Sequence, residues 1–422
     1  MSRIPVSHAQ ERLWFLQQLT PGSPAYNEPL CLRISGSVDV AALDRALRLL
    51  TERHEILRTT FAPDRAGVRQ VVHDTGEVAP VEVVDLPGRE AADRDAVAAA
   101  ECARMAEDRF VLTRLPLLRA RLIRFDAHDH ALLIVTHHLL MDGWSEETLL
   151  ADLGRLYSGG PAALPPVSGR FADHAAAERG ASADAEAERF WLEHLADAPL
   201  DSAVPLVAEP CAERDATLRR TAVAIENGAA VAALARRLGT SPFAVLRTVY
   251  EAAFQEVTGH ADTLIGCPFA NRGAAPDDLV GFFINLVPIR TSAAGAGDFR
   301  DAARRVSLTV AEALSYATLS FAQIVRALRA HREVTGAAVH QVFAFDVARP
   351  LDGFGGLPAR RLPMPPPRPR FDLVATVTQI GGSLTLAVDV ADGRVDPGFA
   401  GALGGAFLSR LDHAAAQTSV TA

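Results

Sequence analysis

The chain contains no lysine: all 42 of its basic residues are arginine. That absence removes Schiff-base chemistry, pyridoxal phosphate anchoring and the phosphate-holding lysine of P-loops together. Cysteine is sparse. Cys31, Cys102, Cys211 and Cys267 are widely scattered with no Cys-x-x-Cys pair, so neither a zinc site nor a disulfide framework is indicated, and each reads as a small buried hydrophobe. No apolar run reaches the roughly 18 residues that a membrane span needs, and the N-terminus lacks the charged-then-apolar pattern of a signal peptide. The expected location is therefore the cytoplasm, with no membrane partner. A formal charge of −9 gives no basic face for phosphate, which argues against nucleic acid. Gly-x-Ser-x-Gly elbows, Walker loops and His-Glu-x-x-His are also missing, so serine hydrolase, NTPase and zincin chemistry lack support.

What remains is an ordinary globular composition, 422 residues with 49% hydrophobic content, too long for one simple core and suited to two subdomains. Its most informative stretch is 137–143, His-His-Leu-Leu-Met-Asp-Gly, directly after the apolar run 131–136, which reads as a buried strand. Histidine has an unperturbed pKa near 6.5, so a neutral ring can accept a proton at working pH, as a general base must. Adjacent side chains of an extended segment point to opposite faces, so only one of His137 and His138 can face a given cavity; His138 is the better candidate. Asp142 either orients that ring or holds the loop by pairing with an arginine, and spacing alone leaves both open. Gly143 is expected to supply a tight turn before Trp144 and Ser145, after which helical spacing begins.

Apolar spacing predicts helices over 38–54 with Asp39 as cap, 91–109, 181–195, 231–238 and 241–257. Strands are expected over 117–125 and 131–136, joined as a hairpin through Asp126-Ala127-His128-Asp129, and over 263–268. The aspartates of that turn suit its backbone better than a metal, and no metal is expected elsewhere. Residues 372–380 and 383–390 form a second hairpin around Gly381-Gly382. Residues 350–370 read as an irregular cover or crossover arm, because proline and glycine forbid continuous ladders. Trp14, Trp144 and Trp191 are expected to anchor cores.

Several of these segments, in order, resemble the condensation domains of nonribosomal peptide synthetases. Ser7-His8-Ala9-Gln10-Glu11-Arg12-Leu13-Trp14 is similar to the opening motif and Arg53-His54-Glu55-Ile56-Leu57-Arg58-Thr59-Thr60-Phe61 to the second. Residues 137–143 are the third, and Val280-Gly281-Phe282-Phe283-Ile284-Asn285 resembles the fifth. The fourth, at 171–178, lacks its tryptophan; the sixth and seventh, at 316–321 and 341–343, are eroded. The resemblance implies an α/β (α+β) fold of two chloramphenicol acetyltransferase-like subdomains in a V-shaped pseudo-dimer with a central tunnel. The first would span 1–175 and carry the histidine motif. The second would span 176–422, with a floor segment near 275–290 and a latch or crossover near 345–375.

By the same resemblance the function is an acyltransferase of natural-product biosynthesis. It would move an acyl, aminoacyl or peptidyl group from a carrier-protein phosphopantetheine thioester to an amine or hydroxyl acceptor, forming an amide or ester. His138 would deprotonate or orient the nucleophile, and Asp142 would keep the loop in shape through Arg58 or Arg272. Asn285, Phe282 and Phe283 would line the floor. No cofactor is expected on the chain itself; the phosphopantetheine arm belongs to donor and acceptor carrier proteins, and a small free amine or alcohol could replace the second. The chain begins just before the first motif and stops after the final helix, which suggests a freestanding enzyme or a domain cut from a larger synthetase. A CoA-dependent acyltransferase of the wax-ester or polyketide-associated type is an alternative that the match at 53–61 disfavours. A catalytically silent recruitment domain is a third reading, opposed by the intact His138, Asp142 and Gly143.

Overall fold

A computed structural model describes residues 2–65, 67–181, 184–201, 203–226, 228–292, 298–334 and 338–420. Its contacts group the chain into two units that are discontinuous in sequence, one of residues 1–182, 272–284 and 350–368 and one of 183–271, 285–349 and 369–422.

The first unit is built on a five-stranded sheet in the order Ala359–Leu362, Asn27–Ser35, Asp129–His137, Leu118–Asp126, Glu82–Asp85. The run 131–136 lies at its centre, and because alternate side chains face opposite sides that are both covered, 131–135 are all apolar. Leu133 and Val135 pack with Cys31, Ala98, Cys102 and Met105 beneath the helix Arg94–Ala106. Leu132 and Ile134 meet Leu43, Leu47 and Leu50 of the helix Val40–Arg53 on the opposite face. Asp39 starts that second helix as expected, accepting the Ala42 N–H at 3.0 Å. The predicted hairpin is formed by Leu118–Asp126 and Asp129–His137. Its turn carboxylates are taken by arginine: Arg94 lies 2.6 Å from both Asp126 and Asp129.

One expectation about the strands fails in this unit. Residues 359–362, inside the proline- and glycine-rich stretch, form an edge strand antiparallel to Asn27–Ser35. Proline blocks a ladder only where its own missing N–H is required, and Pro358 and Pro363 stand just outside the pairing residues.

The second unit carries a six-stranded sheet in the order Ile284–Ser292, Asp262–Ala270, Gln341–Ala348, Leu373–Ile380, Ser383–Asp392, Thr217–Ile225. The expected hairpin joins Leu373–Ile380 to Ser383–Asp392, with Gly381 at φ +58° where a side chain would be strained. Pro242–Thr258 packs against Phe399–Val420 and Phe299–Ser315, burying Tyr250, Phe254, Phe343 and Phe407. The helix expected over 181–195 is observed as Ala185–His194; residues 182–183 lie outside the described residues. Trp191 is buried there as expected, its indole N–H donating to the Tyr316 carbonyl at 2.9 Å. Trp14 is half-buried. No helix among the described residues is long and apolar enough to cross a membrane.

The helix Gly143–Gly159 is tied to the second sequence motif by Asp152, which accepts from Arg53 at 2.8 Å and contacts His54 Nε2 at 3.0 Å. Burial pushes this carboxyl up, but the His54 and Arg53 hydrogen bonds outweigh it and hold the group below its ordinary value of 3.8. A depressed folded-state value means the contribution is fully present above about 3.8 and is lost as pH falls below it. Asp152→Asn is therefore expected to lower unfolding free energy by roughly 3 kcal/mol at neutral pH, with the gap to the parent protein closing in acid. Urea titrations across pH measure both.

Candidate functional site

The central strand Asp129–His137 delivers the paired histidines to the end of its sheet, His137 as its last residue and His138 in the turn that follows. His137 is buried. Its Nδ1 accepts the Leu139 N–H at 3.1 Å and its Nε2 lies 3.4 Å from Gln17 Oε1, so the proton of this ring sits on Nε2 and the ring is held by packing. Phe110 meets it edge-on at 6.3 Å.

His138 has the opposite arrangement. Its Nδ1 lies 2.8 Å from the Met141 carbonyl and 3.2 Å from the Glu28 carboxylate, and its ring is 4.8 Å from the Phe282 ring. A carbonyl and a carboxylate can only accept, so Nδ1 carries the hydrogen and the neutral ring's lone pair is at Nε2. The His138 side chain keeps 15% of its surface exposed.

Asp142 organises the loop around these rings. As N-cap of Gly143–Gly159 its Oδ1 accepts the Ser145 N–H at 2.9 Å, while its Oδ2 accepts the Phe283 N–H at 3.0 Å. Its own N–H donates to Gly281 at 3.2 Å. Ser145 doubles the link: Oγ donates to the Gly281 carbonyl at 2.7 Å and accepts the Gly281 N–H at 3.1 Å. Gly281 is required at this crossing, since a Cβ would come within 2.0 Å of the Phe171 ring. The histidine motif and residues 281–283 thus form one hydrogen-bonded body within the first unit.

Several sequence expectations need correction against this geometry. Among the described residues no hydrogen bond or ion pair joins Asp142 to the His138 ring, Arg58 or Arg272; its two oxygens accept backbone N–H groups instead. Arg58 donates to the His73 carbonyl instead. Arg272 donates to the carbonyls of Pro276 at 2.9 Å and Leu279 at 2.5 Å, and its guanidinium stacks 4.1 Å from the Phe283 ring. Burial lowers its pKa, with Asp142 acting across space in the other direction. Gly143 makes no left-handed turn. It is the first helical residue, and the turn comes from the extended backbone of Asp142 at φ −107°, ψ −178°. Trp144 is no core anchor: it is 44% exposed and donates to the Asp277 carbonyl at 3.2 Å, since the first turn of a surface helix points it outward.

Phe282 and Phe283 are buried beside His138 and Asp142 respectively. Asn285 belongs to the second unit, where Nδ2 donates to Ala317 and Leu319 carbonyls at 3.1 and 2.9 Å and Oδ1 accepts the Phe321 N–H at 3.0 Å. All of these partners are backbone, so Asn285 clamps the chain around 317–321.

Sequence reasoning missed Glu28, Gln10 and Gln17. Gln10 closes a capping box with Ser7 and also donates to the Leu139 carbonyl at 3.0 Å, which supports the histidine loop. For Gln10 the available signal was the Ser7-x-x-Gln10 spacing of a capping box, and Gln10 is fully buried; Glu28 and Gln17 carry no such mark.

A family model described as the condensation domain matches residues 2–411. The chain belongs to the condensation-domain family. It is 36% identical over 392 residues to the phosphinothricin tripeptide synthetase PhsC of Streptomyces viridochromogenes, covering 89% of this chain and 36% of that protein. The chondramide synthase of Chondromyces crocatus is 33% identical over 416 residues, covering 92% of this chain and 10% of that protein. This chain thus spans about a third or less of these relatives. Among solved structures, SgcC5 of Streptomyces globisporus aligns with a TM-score of 0.82 at 24% identity, covering 98% of this chain and 99% of that one. The fold is therefore that of the condensation domains, which in nonribosomal peptide synthetases are acyltransferase-type enzymes that form amide bonds and work with carrier-protein domains.

Asp142→Ala is expected to cost roughly 2–4 kcal/mol, the loss of a helix cap plus a buried Phe283 N–H left unpaired. Gly143→Ala, whose Cβ meets nothing within 4 Å, should change stability by less than about 0.5 kcal/mol. Urea denaturation compares the pair.

Proposed function

We propose that this condensation domain transfers an acyl, aminoacyl or peptidyl group from a carrier-protein phosphopantetheine thioester to an amine or hydroxyl acceptor, with His138 as the base. The observation that carries this reading is the hydrogen-bonding of the ring: two acceptor-only groups at Nδ1 leave the basic lone pair on Nε2. As the acceptor nitrogen or oxygen bonds to the thioester carbonyl carbon, Nε2 takes up its proton. The carbon–sulfur bond then breaks, and the protonated imidazole returns the proton to the leaving thiolate, so the ring ends neutral. Delivery of both groups to one site on carrier arms makes an otherwise bimolecular aminolysis effectively intramolecular, an advantage of up to about 7–11 kcal/mol in well-aligned cases.

Gly143 is exposed at the start of its helix, and a Cβ there would meet nothing within 4 Å, which leaves room for a substrate chain. Phe282 packs on His138 and shields it from water on one side. Asp142, Ser145 and Arg272 act as holders of the loop and of residues 272–283, away from the reacting atoms. SgcC5 was solved with a naphthyl ethanediol, so free alcohols belong in any acceptor panel.

The test mixes the protein with an acyl-loaded carrier protein and a panel of carrier-bound and free amines and alcohols, and reads product masses. An amide or ester product is expected, and His138→Ala should reduce its rate roughly 10²–10⁴-fold. Equal output from that variant would remove the base, and product from acyl-CoA but from no acyl-carrier would replace the carrier-dependent reading.

A further inference from the structure

We infer that Glu28 is the positioning residue of His138: its carboxylate holds the Nδ1 hydrogen and balances the positive charge that the ring acquires when Nε2 takes a proton. The inference rests on the proposed role of His138 as base. Glu28 lies on Asn27–Ser35, next to the histidine-bearing strand, and the antiparallel register sets it opposite Thr136. From there its Oε1 comes within 3.2 Å of His138 Nδ1, with both side chains mostly shielded from water, at 15% exposure for His138 and 22% for Glu28. The Met141 carbonyl at 2.8 Å is enough to select the tautomer. What a neutral carbonyl cannot supply is a full negative charge beside the imidazolium.

The charged groups around the pair leave Glu28 able to do this. Arg361, on the neighbouring edge strand Ala359–Leu362, faces the Glu28 charge, but its guanidinium is also bound to Glu146 and, at 2.9 Å, to Glu147 of the helix Gly143–Gly159. Its positive charge is therefore shared among three carboxylates. Asp142 is consumed by backbone N–H groups, and Arg272 donates to carbonyls of its own segment. The neighbouring His137 holds its proton on Nε2, against Gln17.

Glu28→Gln preserves an acceptor oxygen and the side-chain shape while deleting the charge. With histidine-labelled protein, the titration midpoint of His138, assigned by the signal missing in His138→Ala, is expected to fall by roughly one pH unit in Glu28→Gln. The sign follows because a carboxylate favours the protonated ring. Arg361→Gln, which removes the opposing cation, is expected to move the midpoint upward and gives an independent reading if Glu28→Gln folds poorly. In carrier-dependent turnover the acid limb of the kcat/KM profile should shift with the midpoint, kcat should fall about tenfold on the plateau, and KM for the acyl carrier should stay unchanged. A His138 midpoint that neither variant moves would overturn the inference, even with active parent protein. Shifted midpoints without product from any acyl carrier would leave Glu28 in place and remove the proposed function instead.

Discussion

The arrangement depends on one carboxylate. Asp142 spends Oδ1 on the Ser145 N–H, which starts a helix, and Oδ2 on the Phe283 N–H, which fastens a segment distant in sequence. An ionised carboxylate is the side chain that can accept both donors at once from a single position, and charge-assisted hydrogen bonds to backbone N–H groups are about twice as strong as neutral ones. Because the loop it fixes also contains Met141, whose carbonyl holds the His138 ring, the orientation of the histidine follows from the placement of the aspartate. Ser145 and Gly281 complete the link, and Gly281 admits no larger residue against Phe171.

Paired histidines in one motif therefore carry opposite proton assignments. His137 is pinned through Nδ1 by the Leu139 N–H and serves the loop; His138 is pinned through Nδ1 by acceptors, which places its lone pair on Nε2. Neither assignment is intrinsic to imidazole. Each is imposed by whether the nearest backbone group is an N–H or a carbonyl, which is how a buried sheet and a helix start can turn identical residues to different uses. The proposed base role of His138 needs such a ring, since a neutral imidazole nitrogen with its lone pair is what proton removal from an attacking group requires.

Much of this was legible in the sequence because it follows from local pattern. The apolar run 131–136, the cap at Asp39 and the Gly381-Gly382 turn each specify their structure within a few residues, and all were observed. The ordered motifs carried the fold and the family. Partners across long sequence separations were not legible. Asp142 offered the choice of an arginine or the histidine, and its actual partner is the N–H of residue 283, a donor that every non-proline residue carries and that no pattern marks. Glu28 was invisible for the same reason, since its value comes from strand register. The edge strand Ala359–Leu362 was hidden by flanking prolines whose missing N–H its ladder does not need, and Trp144 by treating aromatic bulk as evidence of burial.

Amide hydrogen exchange at Ser145 and Phe283 tests the central claim most directly. If one carboxylate binds both N–H groups, both amides are protected in the parent protein, and Asp142→Asn, with one acceptor oxygen in place of two, loses protection at one or both while Leu132 and Ile134 of the sheet stay protected. Rapid exchange at Phe283 in the parent protein, or protection at both amides that survives the substitution, would contradict it.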